Sequence, residues 1–417
     1  MSTTTKKATS LRFFPQLLLA AALGVFGWRI VSTGFADVFA ARNPSLAIAL
    51  DASNSRAGLA HSVALLQQDA PDIIAAADIS RKVLREDPLA AGALTTLAQA
   101  LEVGSTSDAA PLWRLAARSA LRDLIAQTNV LEEELKQDDA EAVINRIDII
   151  LRSGAIAREG LYALLTPQLA GPKYRDAFAR RLATNPPWRT SFLTHLSLNG
   201  LHSDGLTTIF AALKKSSAPP TEEELRPFLQ RLIAEGQHDQ AYLFWLGNLP
   251  ADRKPHGDLL YNSRFQLPVS NVPFDWSFEK IPGSSIRLGR LGAARILNVD
   301  FFGAAVPFRH VRQWLLLPPG RYVFSGLQRA QALINDRGLR WKFSCAGKPT
   351  EAIAATDLIS GTFPWQEFSI KVSISPECSA QELVLELPAR AALEQIVSGG
   401  VSFMSLSLKK DAENQSQ

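Results

Sequence analysis

Between Phe368 and Ser375 the chain alternates strictly: Phe368, Ile370, Val372 and Ile374 are separated by Ser369, Lys371, Ser373 and Ser375. A period of two puts every apolar side chain on one face of an extended strand, which no helix can do. The alternation returns in Trp341, Phe343 and Cys345, in Leu383, Leu385 and Leu387, and in Val401 with Phe403. Pro318-Pro319-Gly320 and Ser398-Gly399-Gly400 punctuate these runs and are expected to be turns. Short alternating segments between turns, without helical period, predict an antiparallel β-sandwich over residues 256–410.

The text before it is different. Residues 43–252 are rich in Ala and Leu with helical periodicity, and a spacing recurs within them. Gly104, Ala109, Trp113 and Ala116 are matched in step by Gly200, Gly205, Ile209 and Ala212, and Gly236, Ala241 and Trp245 begin the same series. Small residues let antiparallel helices approach, and the large one fills the space between them. Pro44 and Pro88 are expected to open helices. The pattern resembles degenerate tetratricopeptide repeats, which implies an α-solenoid with a concave surface for protein partners. An Ala-rich composition alone produces some of the same spacing. The helical period ends between Asp252 and Asp258, around Pro255 and Gly257.

At the other end, Phe13 to Trp28 carries no charge and follows Lys6, Lys7 and Arg12. A membrane-spanning helix needs about 20 apolar residues, and Leu11 to Ile30 supplies them if Arg29 reaches the headgroups from the helix end. The anchor is placed at residues 13–36, with 1–12 as a cytoplasmic tail and 411–417 as a disordered one. Positive charge before the span keeps the N-terminus inside, so the bulk of the chain is expected in the periplasm of a bacterial inner membrane. A signal peptide cut at Val38-Phe39-Ala40 is the alternative. Export gives Cys345 and Cys378, the only cysteines, an oxidising compartment, and a disulfide between them is expected over two free thiols.

Within the β region, Leu259-Leu-Tyr-Asn262-Ser-Arg-Phe265, Phe274-Asp-Trp276, Leu315-Leu-Leu-Pro-Pro-Gly320-Arg-Tyr322 and Trp365-Gln-Glu-Phe368 resemble the jelly-roll carbohydrate-binding modules of galactose-binding-like fold. Ser263 and Gln266 stand where that family has Gly and Glu in its first strand. The resemblance covers about a third of the chain and implies a jelly roll, with a polysaccharide as ligand. The whole architecture looks like that of accessory proteins in bacterial surface-polysaccharide assembly or export.

No nucleotide loop, nucleophile elbow or zinc-binding His pattern occurs, and the six histidines are scattered. The expectation is therefore a protein that is no enzyme and uses no cofactor or metal, with a protein scaffold of an envelope complex whose β-sandwich is purely structural, and a polysaccharide-processing enzyme, as the alternatives. The runs Glu132-Glu-Glu134 and Glu222-Glu-Glu224 are taken as solvated helix N-termini. The formal net charge of +4 is accounted for by Lys6, Lys7, Arg12 and Arg29, so no nucleic-acid partner is expected.

One local excess remains. Residues 287–342 hold ten basic side chains against Asp300 and Asp336. If Leu315 and Leu317 face the core, Arg312, Trp314 and Leu316 share the opposite face. Arg312 and Trp314, with Arg309, Arg290 and Trp365, are the candidate glycan-binding residues, and acidic sugars fit such a basic face. The competing reading keeps Trp314 under a loop and uses the arginines to guard exposed strands. Trp341, in phase with Phe343, belongs to the core.

Overall fold

The structure, a computed structural model, describes residues 13–104, 109–154, 158–200, 202–255 and 258–411. The tail 1–12, with Lys6, Lys7 and Arg12, lies outside them, as do His256, Gly257 and all of the C-terminal tail beyond Asp411. The chain forms two compact units, Met1–Leu161 and Tyr162–Gln417.

The first unit is helical. It runs through α1 (Phe13–Phe39), α2 (Pro44–Leu50), α3 (Ser55–Leu66), α4 (Ile73–Glu86), α5 (Ala91–Val103), α6 (Ala109–Ser119), α7 (Leu124–Lys136) and α8 (Ala140–Ser153), to α9 (Arg158–Leu165) at the division. Asn43, Asn54, Asp72, Asp123 and Asp139 cap five of these helices, each side chain accepting from a backbone N–H three residues on. Pro44 opens α2 as expected, but Pro88 sits in the turn before α5, which begins at Ala91. From α3 to α8 each helix packs on the next.

Helix α1 is long and apolar enough to cross a membrane over Leu18–Phe39. Leu18, Leu19, Leu23, Phe26 and Trp28 are exposed, with no protein surface covering them. Arg29 is not at the helix end: α1 continues to Phe39, and Ala36 and Ala40 are buried in a cluster with Ala47 and Ala57. Small residues at intervals of four let the last turns of α1 dock while its first turns stay bare.

The second unit begins with α10 (Pro172–Leu182), α11 (Arg189–Asn199), α12 (Ser203–Lys214), α13 (Glu222–Ala234) and α14 (His238–Asn248). The recurring glycines fall at the loops: Gly104, Gly200 and Gly236 each follow a helix, and Trp113, Ile209 and Trp245 are buried in the next one. Ala212 is instead exposed. The acidic runs also differ from expectation. Glu132, Glu133 and Glu134 lie near the end of α7, and Glu133 and Glu134 pair with Arg114 and Arg146. Glu224 is not solvated: it completes a capping box with Thr221 and is 1% exposed, paired at 2.8 Å with the buried Arg189.

Ten antiparallel strands follow: β1 (Ser277–Phe278), β2 (Ser284–Leu291), β3 (Ala294–Ala305), β4 (Val311–Leu315), β5 (Gly320–Ile334), β6 (Arg340–Cys345), β7 (Ala354–Ala355), β8 (Gly361–Ile374), β9 (Gln381–Glu386) and β10 (Ile396–Lys410). They make two five-stranded sheets, ordered β1-β4-β9-β6-β7 and β2-β3-β10-β5-β8, the two layers of a jelly-roll sandwich. The alternating residues face one another across the layers, as where Trp341 of the first sheet meets Phe403 of the second at 5.1 Å. Cys345 and Cys378 form the expected disulfide.

Two segments were read wrongly. Ser398-Gly399-Gly400 is no turn but an irregularity inside β10, where the register slips against both β3 and β5. Gly399 has φ +88°, and a Cβ there would lie 1.9 Å from the Ala332 carbonyl oxygen, so only glycine fits. Leu259 to Phe265, the counterpart of the family's first strand, is a bend followed by a turn. Its Leu260 and Phe265 plug into the core, and the Asn262 carbonyl accepts a hydrogen bond from Trp276 Nε1 at 3.1 Å.

Candidate functional site

Strand β4 shows how the site is set. Val311, Gln313 and Leu315 are buried, while Arg312 and Trp314 are half-buried on the opposite face. The Arg312 guanidinium donates to Glu279, just beyond β1, and lies 3.6 Å from Glu382 on β9. Arg309, on the loop before β4, approaches the same Glu382 at 3.9 Å. Strand register puts Trp314 directly across from Glu382. Glu279, Arg309, His310, Arg312, Trp314 and Glu382 line one cavity of about 530 Å³.

Helix α14 reaches the same place from the other side. His238, Tyr242 and Trp245, four and three residues apart, form a stripe on one helix face. His238 lies nearly parallel to Trp314 with centroids 6.2 Å apart, Tyr242 packs edge-on to Phe274 and Trp245 edge-on to Tyr261. His238 Nδ1 is also 3.2 Å from the Ser379 hydroxyl. A second cavity, of about 430 Å³, opens between these helices and the sandwich, and Arg312 and Trp314 line it too. Trp314 and Arg312 thus stand where two cavities meet.

The expected basic face is not a field of free positive charge. Strand pairing brings carboxylates from outside residues 287–342 onto it: besides the two pairs on Arg312 and that on Arg309, Arg340 and Lys342 share Glu386 and Arg337 holds Glu394. Arg287 pairs with Asp300 inside the window. In the cavity at Trp314, two arginines face two glutamates.

The five candidates do not form one surface. Arg309, Arg312 and Trp314 share the cavity. Trp365 is on β8 of the other sheet, with the Arg329 guanidinium 5.1 Å from its ring centre. Arg290 is exposed on β2, at the opposite edge of that sheet. Glu279, Glu382 and His238 were not anticipated. The stripe His238-Tyr242-Trp245 at the end of the helical text was a legible signal of a helix laid on something aromatic.

Burial pushes the imidazoles of His238 and His310 below their ordinary range, against a nearby Asp239 for the first and Glu279 for the second, while Arg312 lowers His310 further. Burial also pushes the Tyr261 hydroxyl up to about 12. Folded histidines of this kind bind protons more weakly than unfolded ones, so the unfolded chain gains protons first as pH drops below about 6.5. Their contribution is intact above that pH and is lost as pH falls toward the folded values. The melting temperature is therefore expected to fall as pH drops from about 7.5 to about 5.5. A double variant, His238→Gln with His310→Gln, loses part of that slope, and an unchanged slope would contradict the assignment.

No family model and no curated protein matches the chain. Solved structures similar to it include a CBM4 module (15% identity, 36% of this chain and 99% of that one, TM-score 0.28). Two others are the carbohydrate-binding module CBM6cm-2 from Cellvibrio mixtus lichenase 5A with cellotriose (13%, 32% and 92%, TM-score 0.20) and TmCBM61 with β-1,4-galactotriose (11%, 37% and 100%, TM-score 0.24). All three TM-scores are below 0.5, and no ligand is assigned to this chain from them.

Proposed function

We propose that this chain is a membrane-anchored, non-catalytic protein whose β-sandwich holds a polysaccharide at Trp314. The observation that carries this is the placement of one half-buried indole at the meeting of two cavities, beside fixed arginine–carboxylate pairs. An indole offers a flat apolar surface to the C–H face of a sugar ring. Paired Arg309, Arg312, Glu279 and Glu382 offer donors and acceptors already oriented for hydroxyl groups. Because the pairs balance, the ligand is a neutral glycan in preference to an acidic one.

Glycosidases place two carboxylates on either side of the scissile bond. Here Arg312 bridges Glu279 and Glu382, which favours a binding role for both. The apolar helix α1 suits a single span with the bulk of the chain outside the cytoplasm, and the disulfide suits an oxidising periplasm. The helices would dock protein partners of a bacterial surface-polysaccharide assembly or export system.

The test is a glycan array probed with the full-length protein in detergent micelles. Retention on neutral oligosaccharides, lost in Trp314→Ala, is the expected result. Equal retention of both proteins, or of neither, would contradict it.

A further inference from the structure

A third cavity in the second unit, of about 260 Å³, is walled by aromatic rings. Tyr242 and Trp245 come from α14, Tyr261 and Phe274 from the turns before β1, and Trp314 from β4. Neighbouring rings stand nearly at right angles. The planes of Tyr242 and Phe274 cross at 79° with centroids 5.2 Å apart, and those of Trp245 and Tyr261 at 88° with centroids 5.0 Å apart. Tyr242, Tyr261 and Trp314 are only partly buried and keep surface open to a ligand, while the buried Trp245 and Phe274 back them. No Lys, Arg or His is among the described residues lining this cavity, but Asp258 is. The Asp258 carboxylate accepts from the Ser263 hydroxyl at 2.7 Å and has no cationic partner among the described residues. Burial holds the Tyr261 hydroxyl up at about 12, helped by Asp275, Glu222 and Asp252 and opposed by Arg253, which itself pairs with Glu222 at 3.7 Å. The walls are therefore electronegative. Aromatic faces attract a cation through their quadrupole. An ion with N–H groups, or a metal, needs acceptors in contact, and Leu259, Leu315, Leu316 and Leu317 complete these walls instead. Leucines suit methyl groups.

We propose that this cavity binds a quaternary ammonium group, its methyls against Tyr242, Tyr261, Trp314 and the leucines, and its charge balanced through space by Asp258. Such a cation carries its charge without a hydrogen-bond donor, which is what walls of rings and leucines accept. Helix α14 then takes a direct part in recognition. The site goes beyond the glycan reading and does not depend on it.

The experiment titrates full-length protein with choline by calorimetry, in polyoxyethylene-ether micelles whose headgroups carry neither charge nor sugar. The control is the tert-butyl isostere of choline, which keeps its shape with carbon in place of the charged nitrogen. Choline is expected to bind at least about tenfold more tightly than the isostere. Tyr242→Leu removes one ring and is expected to weaken choline about tenfold. Asp258→Asn is expected to weaken choline severalfold and leave the isostere unchanged. Choline stands for a free cation and glycerophosphocholine for a lipid headgroup, and tight binding of either supports the site and says which source it takes. If Tyr242→Leu misfolds, choline against its isostere on the parent carries the test alone. Equal affinity for the two, no binding of choline or glycerophosphocholine at about 10 mM, or full affinity in a folded Tyr242→Leu would overturn the proposal and leave the glycan site at Trp314 untouched.

Discussion

Replacing Glu224 with Ala is expected to destabilise the second unit by about 3–5 kcal/mol. Arg189 and Glu224 are 2% and 1% exposed and meet at 2.8 Å. The guanidinium also donates to the carbonyls of Ala218 at 2.9 Å, Pro219 at 3.2 Å and Leu182 at 3.3 Å, which ties α10, α11 and the loop before α13 together. Removing the carboxylate leaves a buried cation on neutral carbonyls and strips Thr190 and the Thr221 backbone N–H of their acceptor. Glu222 and Glu223 are exposed on the same turn, and their alanine variants should change stability by no more than about 0.5 kcal/mol. Urea unfolding followed by helical circular dichroism checks both. Equal midpoints for all three variants would mean that the buried pair is not what holds these helices.

The second large effect concerns the sandwich. Cys345 ends β6, Cys378 precedes β9, and they are 33 residues apart. On the chain-entropy model a loop of that size is worth about 3–4 kcal/mol. Cys345→Ser and Cys378→Ser should lower the strand-rich melting transition by the same amount, since each removes the same cross-link. A consequence for the site goes with it: Cys345 lines the cavity at Trp314, and so do the next two residues, Ala346 and Gly347. Freeing that wall should weaken glycan binding as well. Unequal losses, or free thiols in the native protein, would contradict the account.

The sandwich was legible because its core positions obey local parity. Phe343, Leu383, Leu385, Val401 and Phe403 alternate in sequence and are all buried in the structure. Parity likewise put Arg312 and Trp314 on one face. It failed where the chain breaks parity locally, since a glycine inside a slipped register looks the same in sequence as a glycine in a turn, as Gly399 shows. The charge of the face was hidden for a different reason. Arg312 meets Glu279 across 33 residues, and Arg340 meets Glu386 across 46, so counting charges along the chain could not find their partners. His238 lies in the helical text and acts on Trp314 far downstream, a contact that only the tertiary fold creates.

The most direct test of a neutral-glycan site at Trp314 is calorimetric affinity at low and high salt, for the parent and Trp314→Ala, using the strongest neutral binder from the array. Paired charges leave little net attraction for salt to screen, so the parent's affinity should hold between about 0.1 M and about 1 M salt. Trp314→Ala should lose about tenfold or more at both, while the strand core, which Trp314 does not enter, keeps its cooperative melting. Affinity that survives Trp314→Ala, or that collapses with salt in the parent, would contradict the account.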